Sequence, residues 1–241
     1  MVTGEAMLKL WWYGYRGAGA LTNFGDALSI EMLPLLGLPC EFSEDFDVLA
    51  IGSIAKVARA GTRVLGSGIM SRKDGCHPGA EWLWVRGPHT RDKVIECGGT
   101  CPEIYGDMAM LLPHLLDGSA KRYDLGIVPH IRQYGEALRR FPGHRVIDLR
   151  TNDAFKTARE ITECRSILSS SLHGVITAHA YGIPVAHIDL DIHIKGDGVK
   201  FEDHYHALGL EHVVSDPDDP VFTTGKINVQ PLLSILHDLR G

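Results

Sequence analysis

The sequence lacks any long apolar segment and has few aromatic residues. No apolar run reaches the ~18 residues that a membrane-spanning helix needs. The apolar stretch 7–13 contains Lys9, has no basic head and has no small-residue cleavage pattern, so it does not resemble a signal peptide. Aromatic residues make up 7% of the 241 positions and charged residues 22%, which is typical of a globular rather than a disordered or fibrous chain. We therefore expect a cytoplasmic globular protein.

Positive charge and cysteine are also scarce. The chain has 24 Lys and Arg against 30 Asp and Glu, for a net charge of −6, whereas a protein that binds nucleic-acid phosphates usually carries the opposite sign. Cys97 and Cys101 have no second pair to complete a zinc site, and an odd total of five cysteines gives no disulfide framework. These absences predict no nucleic-acid partner and free thiols. Histidine, with 13 residues, is abundant instead.

Short apolar runs alternate with helical patterns along the chain. Such alternation is typical of βαβ units and predicts an α/β fold with a mainly parallel sheet. A small, polar and charged segment near 116–123 indicates a linker between Rossmann-like domains at 1–120 and 121–241, with a ligand cleft outside the carboxyl ends of the strands. The predicted strands are 8–13, 48–52, 64–66, 82–85, 124–128, 145–149, 166–169 and 184–189; the predicted helices are 27–36, 88–97, 133–140, 153–163, 172–181 and 232–239.

Glycines and polar residues follow the first predicted strand. The glycine-rich stretch 14–19 suits close approach of the backbone to an anion, although it does not match the dinucleotide-binding pattern. Asp26 stands at the start of the next helix, where it is either an N-cap or a carboxylate that binds substrate hydroxyl groups. The residues alone leave these two interpretations open.

Two arginines follow the strand predicted at 82–85. Arg86 stands at the strand end, and Pro88 suits the first turn of the helix that carries Arg91. A guanidinium group suits carboxylate or phosphate recognition. Arg86 is therefore a candidate anion ligand, while Arg91 is equally well explained as a surface residue beside Asp92.

Histidines stand at the ends of the strands predicted in the second half. His130 follows one strand, and Ser169-Ser170-Ser171 leads from another into a helix whose first turn carries Leu172, His173 and Gly174. Free N–H groups and hydroxyls there predict an anion pocket. His173, opposite an arginine at a strand end, is the candidate acid/base group of that pocket.

Polar residues alternate with apolar ones from His187 to His193, beginning inside the strand predicted at 184–189. Period-two spacing predicts that they share one strand face. A metal site is chemically possible, but ligands must converge, so we favour a polar wall of the cleft. Lys195 and Lys200 add cations to the same region. The alternating residues are His187, Asp189, Asp191 and His193.

Six strings resemble the polysaccharide pyruvyl transferase family, and they span 23–185 in order. The short length is closest to exopolysaccharide ketal pyruvate transferases of the xanthan or succinoglycan kind. His89 and Met108 depart from the family pattern, which usually has a small polar residue and often proline there. The strings are Asn23-Phe24-Gly25-Asp26, Arg86-Gly87-Pro88-His89-Thr90-Arg91, Tyr105-Gly106-Asp107, Gly126-Ile127-Val128-Pro129-His130, Ser170-Ser171-Leu172-His173-Gly174 and Ala178-His179-Ala180-Tyr181-Gly182-Ile183-Pro184-Val185.

The resemblance implies a GT-B-like pair of Rossmann domains that transfers the pyruvyl group of phosphoenolpyruvate to two hydroxyls of one sugar. It implies a lipid-linked oligosaccharide acceptor at the inner membrane face, hence a peripheral membrane contact, and no metal or further cofactor. Of the two lysines, Lys200 is preferred over Lys195 as the second-domain cation. The residues assigned to catalysis are His173, Asp26 and Arg86, and those assigned to substrate binding are Asn23, Arg91, His130, Ser170, Ser171, Leu172 and Lys200.

Two rival functions use the same residues. A GT-B glycosyltransferase that takes a nucleotide sugar would share the fold, because fold does not set function. A non-catalytic module that binds sugars or anions is the other rival, although binding alone does not need the acid/base group of His173. Protection by phosphoenolpyruvate rather than by nucleotides would distinguish pyruvyl transfer from glycosyl transfer.

Overall fold

The computed structural model describes residues 7–14, 21–190, 192 and 194–240. In this part of the chain, two five-stranded sheets are each built from parallel strand pairs and flanked by helices. The prediction of an α/β protein with two mainly parallel, Rossmann-like sheets is confirmed. The GT-B geometry and the boundary between residues 120 and 121 stay predictions.

The strands and helices are short, as is usual for small α/β units. The strands are β1 (Leu8–Trp11), β2 (Thr22–Asn23), β3 (Cys40–Phe42), β4 (Val48–Leu49), β5 (Arg63–Leu65), β6 (Glu81–Trp84), β7 (Tyr123–Val128), β8 (Arg145–Val146), β9 (Arg150–Thr151), β10 (Cys164–Ser169), β11 (Val185–Ile188) and β12 (Val214–Ser215). The helices are α1 (Phe24–Leu35), α2 (Pro88–Glu96), α3 (Tyr134–Arg140), α4 (Ala154–Thr162), α5 (Leu172–Ala180), α6 (Val199–Ala207) and α7 (Gln230–Asp238), and a 3₁₀ segment covers Met108–His114.

Each sheet has a point where the direction of strand addition reverses. The first sheet has the order β3-β1-β4-β5-β6, so the chain leaves β1 on one side and returns to β4 on the other. The second has the order β12-β11-β10-β7-β8, which puts the same reversal between β7 and β10. Open parallel sheets bind ligands outside the carboxyl ends of the strands at such points. The topology therefore indicates two places where functional residues should gather.

The two halves share one hydrophobic core. Leu28 of α1, Leu111 of the 3₁₀ segment and Ile176 of α5 are all fully buried in the same cluster. Every residue of α5 except Ala180 is buried, as expected of a helix covered on all sides. The start of α5 is consequently held in a fixed place relative to the first half.

Helix α1 is also attached to the second half by hydrogen bonds. β2 pairs antiparallel with β9, and the Phe24 N–H donates to the Leu149 carbonyl at 2.8 Å. The Glu31 carboxylate accepts from the Ala154 N–H at 2.8 Å and the Phe155 N–H at 3.3 Å, which satisfies free donors at the start of α4. Residues at the beginning of α1 thereby face the second half.

The prediction of a polar strand face beyond residue 188 is wrong. β11 ends at Ile188, and the Asp189 carboxylate accepts from the Leu190 N–H at 2.9 Å. The Gln133 amide donates to the Leu190 and Ile192 carbonyls at 3.1 and 2.7 Å, which holds the chain away from the sheet. Asp191 and His193 lie outside the described residues, as does 15–19 of the glycine-rich stretch.

Other boundaries differ by small amounts. The strand predicted at 145–149 is limited to Arg145–Val146, because the chain next pairs with β2 through β9.

Helix α6 was not predicted from the sequence. None of the helices in the described ranges has the length and apolar character that crossing a bilayer requires.

Candidate active site

Predicted site residues lie at the reversal point of the second sheet. His130 follows β7 and Ser170 follows β10, and the His130 N–H donates to the Ser170 hydroxyl oxygen at 3.0 Å. The Ser169 hydroxyl donates to backbone carbonyls and accepts from the Ser171 N–H at 3.1 Å, which fixes the turn into α5. Ser171 and Leu172 are both nearly buried at the start of that helix. The anion pocket predicted from sequence has its residues adjacent, with the first turn of α5 beside them.

Asp26 occupies the first turn of α1, near the end of β4. The N-cap position belongs to Asn23, so the interpretation of Asp26 as the N-cap is wrong. The Asn23 amide donates to the Asp26 carboxylate at 3.1 Å. Burial raises the pKa of Asp26 to about 6, against the opposing effects of the Asn23 hydrogen bond and the His173 charge. The carboxyl can therefore exchange a proton close to neutral pH.

Replacing Asp26 by asparagine is expected to stabilise the protein at pH 7. The pKa of about 6 lies above the ordinary value of 3.8, so the folded state binds the proton more tightly, and stability falls as the pH rises from about 4 to 6. At pH 7 that cost is up to ~3 kcal/mol, since one pKa unit is worth ~1.4 kcal/mol. Asparagine keeps an oxygen for Asn23 and removes the charge.

Urea unfolding at pH 7 and pH 4 measures this effect. The gain should be large at pH 7 and small at pH 4, where the wild-type carboxyl is already protonated. Asp124→Asn, whose carboxylate is 97% exposed, is the control and should change stability little at either pH. An equal gain for Asp26→Asn at both values would contradict the ionisation cost.

His173 lies in the first turn of α5 and packs against α1. A Cβ atom added to Gly25 would lie 2.1 Å from Nδ1, 2.4 Å from Cε1 and 2.5 Å from Cγ of this imidazole. These three distances place that position over the face of the ring, so only glycine allows the contact. The imidazole is 8% exposed. Gly25 thus lets the start of α1 pack against His173, close enough for the His173 charge to act on Asp26.

Asp107 lies beside His173, although the sequence analysis gave it no catalytic or binding role. One of its carboxylate oxygens accepts from the Ala109 N–H at 2.9 Å and so caps the 3₁₀ segment. The other oxygen, Oδ2, lies 3.6 Å from Nε2 of His173, and Asp107 is fully buried. The signal that could have found it is its place after Tyr105, which bridges Val85 beside β6. Asp107 is thereby at the carboxyl edge of the first sheet.

Lys200 is a buried cation whose charge acts on the neighbouring His130. Burial, followed by the Arg86 charge, lowers the pKa of Lys200 to about 8. Burial, followed by the charges of Lys200 and Arg132, lowers the pKa of His130 to about 4. His130 is therefore neutral near a Lys200 ammonium at pH 7. Lys195, the alternative cation, is exposed.

Arg86 has protein partners on every side of its guanidinium. It is fully buried, and it donates to Asp203 at 3.1 Å, to the Ser53 hydroxyl at 2.8 Å and to the Ile69 carbonyl at 2.7 Å. Asp203 belongs to α6, so this ion pair attaches the helix that carries Lys200 to the first half. Direct contact of Arg86 with substrate stays a prediction.

Arg91 also has protein partners. Its guanidinium donates to the Cys101 carbonyl at 3.1 Å and pairs with Glu103 at 3.2 Å. The structure thus places Asn23, Asp26 and His173 near one another, whereas Arg91 contacts Cys101 and Glu103.

The family match concerns the central part of the chain. Residues 76–192 match the sequence model described as polysaccharide pyruvyl transferase. This part of the chain is similar to that family. The matched residues include Arg86, Asp107, His130 and His173, whereas Asp26 and Lys200 lie outside them.

Two further proteins are similar to the chain. An uncharacterized protein of Acanthamoeba polyphaga mimivirus is 29% identical over 171 residues, which cover 67% of this chain and 60% of that protein. The chain thus spans about three fifths of this relative's length. The crystal structure of an uncharacterized protein from Klebsiella pneumoniae superposes with a TM-score of 0.49 and 13% identity, covering 84% of this chain and 88% of that one.

A surface depression lies apart from the candidate site residues described above. It has a volume of about 560 Å³ and contains none of the side chains assigned to catalysis or binding; its lining residues are Ala80, Glu81, Trp82, Leu83, Thr100, Cys101 and Pro102. Within the described ranges, no three His, Cys, Asp or Glu side chains are grouped so as to hold a metal ion. The candidate catalytic and binding side chains therefore lie at the strand ends rather than in the depression.

Proposed function

We propose that the protein transfers the pyruvyl group of phosphoenolpyruvate to two hydroxyls of one sugar in an exopolysaccharide repeat unit, which forms a pyruvate ketal. The observation that carries this proposal is the contact between the starts of α1 and α5. It packs the imidazole of His173 against Gly25 of α1, where the His173 charge acts on Asp26, whose pKa is about 6. Residues 76–192 of the same chain match the polysaccharide pyruvyl transferase model.

The donor would be held by Lys200 and the start of α5. Phosphoenolpyruvate carries a phosphate and a carboxylate, and both favour a cation and free N–H groups. Lys200 is the buried cation next to His130, and the Ser170 and Ser171 hydroxyls lie before the first turn of α5. Arg86 and Arg91 would need to exchange protein partners to reach the donor, so we give the direct contact to Lys200.

His173 and Asp26 would move the protons of the reaction. His173 donates a proton to the methylene carbon, which becomes the methyl group, and the first sugar hydroxyl adds to the adjacent carbon while Asp26 accepts its proton. The C–O bond to phosphate then breaks, and phosphate leaves with the bonding electron pair. The second hydroxyl adds to the same carbon and its proton leaves with phosphate, while the proton on Asp26 replaces the one that His173 gave. The net products are the ketal and inorganic phosphate.

We place the acceptor on a lipid carrier at the inner face of the membrane, as the family resemblance implies. The enzyme would then act as a peripheral protein at that surface, with phosphoenolpyruvate as co-substrate and no metal. Vesicles loaded with a lipid-linked acceptor provide the matching substrate form, and a free glycoside provides its comparison.

Phosphoenolpyruvate is expected to raise the melting temperature of the protein, whereas uridine and guanosine nucleotides should not. A ligand at 100 times its Kd stabilises the folded state by ~2.7 kcal/mol. The decisive assay follows phosphate release and product mass together with a panel of acceptors. Acceptor-dependent phosphate release and a ketal product would support pyruvyl transfer. Protection by nucleotides alone would favour the glycosyltransferase, and acceptor-independent phosphate release would indicate a different phosphoenolpyruvate enzyme.

A further inference from the structure

Asp107 and His173 each have one buried polar atom without a hydrogen-bond partner in the described ranges, and these two atoms lie near each other. Within the described ranges, Oδ2 of Asp107 and Nε2 of His173 have no hydrogen-bond partner, and both atoms are buried. They are 3.6 Å apart, which is an ion-pair distance rather than a hydrogen bond. Leaving both atoms unpaired would cost free energy. Contacts of catalytic groups are often long without substrate and shorten when it binds.

Three ionisable groups face the His173 imidazole. Asp26 comes from α1, Asp107 precedes the 3₁₀ segment, and His204 comes from α6. Burial, more than the nearby charges, holds the pKa of His204 well below its ordinary range, so His204 adds no positive charge at neutral pH. A protonated His173 therefore has two carboxylates around it and no competing cation among these three groups.

The Asp107 side chain is fixed independently of His173. Its Oδ1 accepts from the Ala109 N–H at 2.9 Å and so caps the 3₁₀ segment. The opposite oxygen is thereby aimed at the imidazole by the backbone. A carboxylate held in this way can select which imidazole nitrogen carries the proton.

We propose that Asp107 is the positioning residue of His173. Its Oδ2 accepts a hydrogen bond from Nε2–H of His173, and this bond holds the neutral imidazole in one tautomer. Nδ1 is then left to exchange the proton with substrate, and the Asp107 carboxylate stabilises the imidazolium when it forms. This inference rests on the proposed function, because it assigns the orientation of the group that moves the proton. Gly25 packs on the face of the ring at Nδ1. This contact restricts rotation of the imidazole.

Asp107→Asn tests the proposal in two ways. The asparagine oxygen keeps the cap on Ala109, while the amide N–H₂ then faces Nε2 and should reverse the tautomer. ¹⁵N NMR of histidine-labelled protein, with the His173 signals assigned by comparison with His173→Gln, should show Nε2–H in the wild type and Nδ1–H in the variant. Unchanged ¹⁵N shifts at His173 would overturn the proposal.

The kinetic arm compares Asp107→Asn with Asp117→Asn, whose side chain is exposed. We expect kcat of Asp107→Asn to fall about 10- to 100-fold with KM for phosphoenolpyruvate little changed, because the imidazole remains but loses its orienting partner. An unchanged kcat would contradict the role. If wild-type protein transfers no pyruvyl group while the tautomer reverses as expected, the proposed function fails and the pairing stands.

Discussion

Replacing His173 by glutamine is expected to lower the rate of ketal formation by about 10²–10⁴-fold, because a positioned acid/base group contributes this much to proton transfer. Glutamine can still donate an N–H toward Asp107, but it has no group that exchanges a proton near neutral pH. The fold should persist, since His173 lies at the first turn of α5 and the apolar residues of that helix make the core contacts.

The measurement is single-turnover ketal formation with phosphoenolpyruvate and a purified acceptor, checked by product mass. His237→Gln is the matched control, because that imidazole is 80% exposed at the end of the chain, and it should keep the wild-type rate. Near-normal ketal formation by His173→Gln would rule out His173 as the proton donor. The His173→Gln variant should be assayed below its melting temperature, so that lost activity cannot result from unfolding.

Much of the architecture could be predicted because buried parallel strands are continuous apolar runs. β11 is buried at all four positions, so its sequence differs sharply from the turns on both sides. Helix α6 was missed for the opposite reason. It buries Lys200, Asp203 and His204 as well as apolar residues. Asp203 and His204 are hydrogen-bonded to Arg86 and His179, which are far away in sequence. No local periodicity can report such partners.

The site could be predicted in part, for a related reason. His130 and His173 follow strands that are recognisable in sequence, and the reversal between β7 and β10 places them at one edge. Asp107 follows no long strand, and its cap on Ala109 explains it locally. Its contact with His173 depends on the core shared by the two halves. His130 and His173 could thus be predicted from local sequence, whereas the contact of Asp107 depends on long-range packing.

The net charge of −6 does not conflict with an anionic donor. The buried Lys200 lies near neutral His130, while the Arg86 guanidinium is neutralised by Asp203. A single cation with a lowered pKa attracts an anion more strongly in a buried site than a surface lysine does in water. The charge of the whole chain therefore says little about the charge at the strand ends.

Replacing Arg86 by methionine is expected to destabilise the protein by ~3–5 kcal/mol, because removing one partner of a buried ion pair leaves the other charge uncompensated. Arg86 and Asp203 are both fully buried and 3.1 Å apart. Asp203 also accepts from the Thr90 N–H at 3.0 Å and from the Thr90 hydroxyl at 2.6 Å, so it cannot move out to water without breaking these bonds. The free energy of unfolding in urea measures the loss.

A second substitution distinguishes a structural role of the Arg86–Asp203 ion pair from a role of Arg86 in substrate binding. In the Arg86→Met background, Asp203→Asn removes the stranded charge and keeps an acceptor for Thr90, so the double variant should be more stable than Arg86→Met alone. Arg165→Met, which breaks an exposed pair with Asp124, should change stability little. If Arg86 were instead a direct ligand of the donor, Arg86→Met would keep its unfolding midpoint and raise the KM for phosphoenolpyruvate. If Arg86→Met is destabilised and Asp203→Asn restores part of its stability, the ion pair holds α6, and with it Lys200, against the first half.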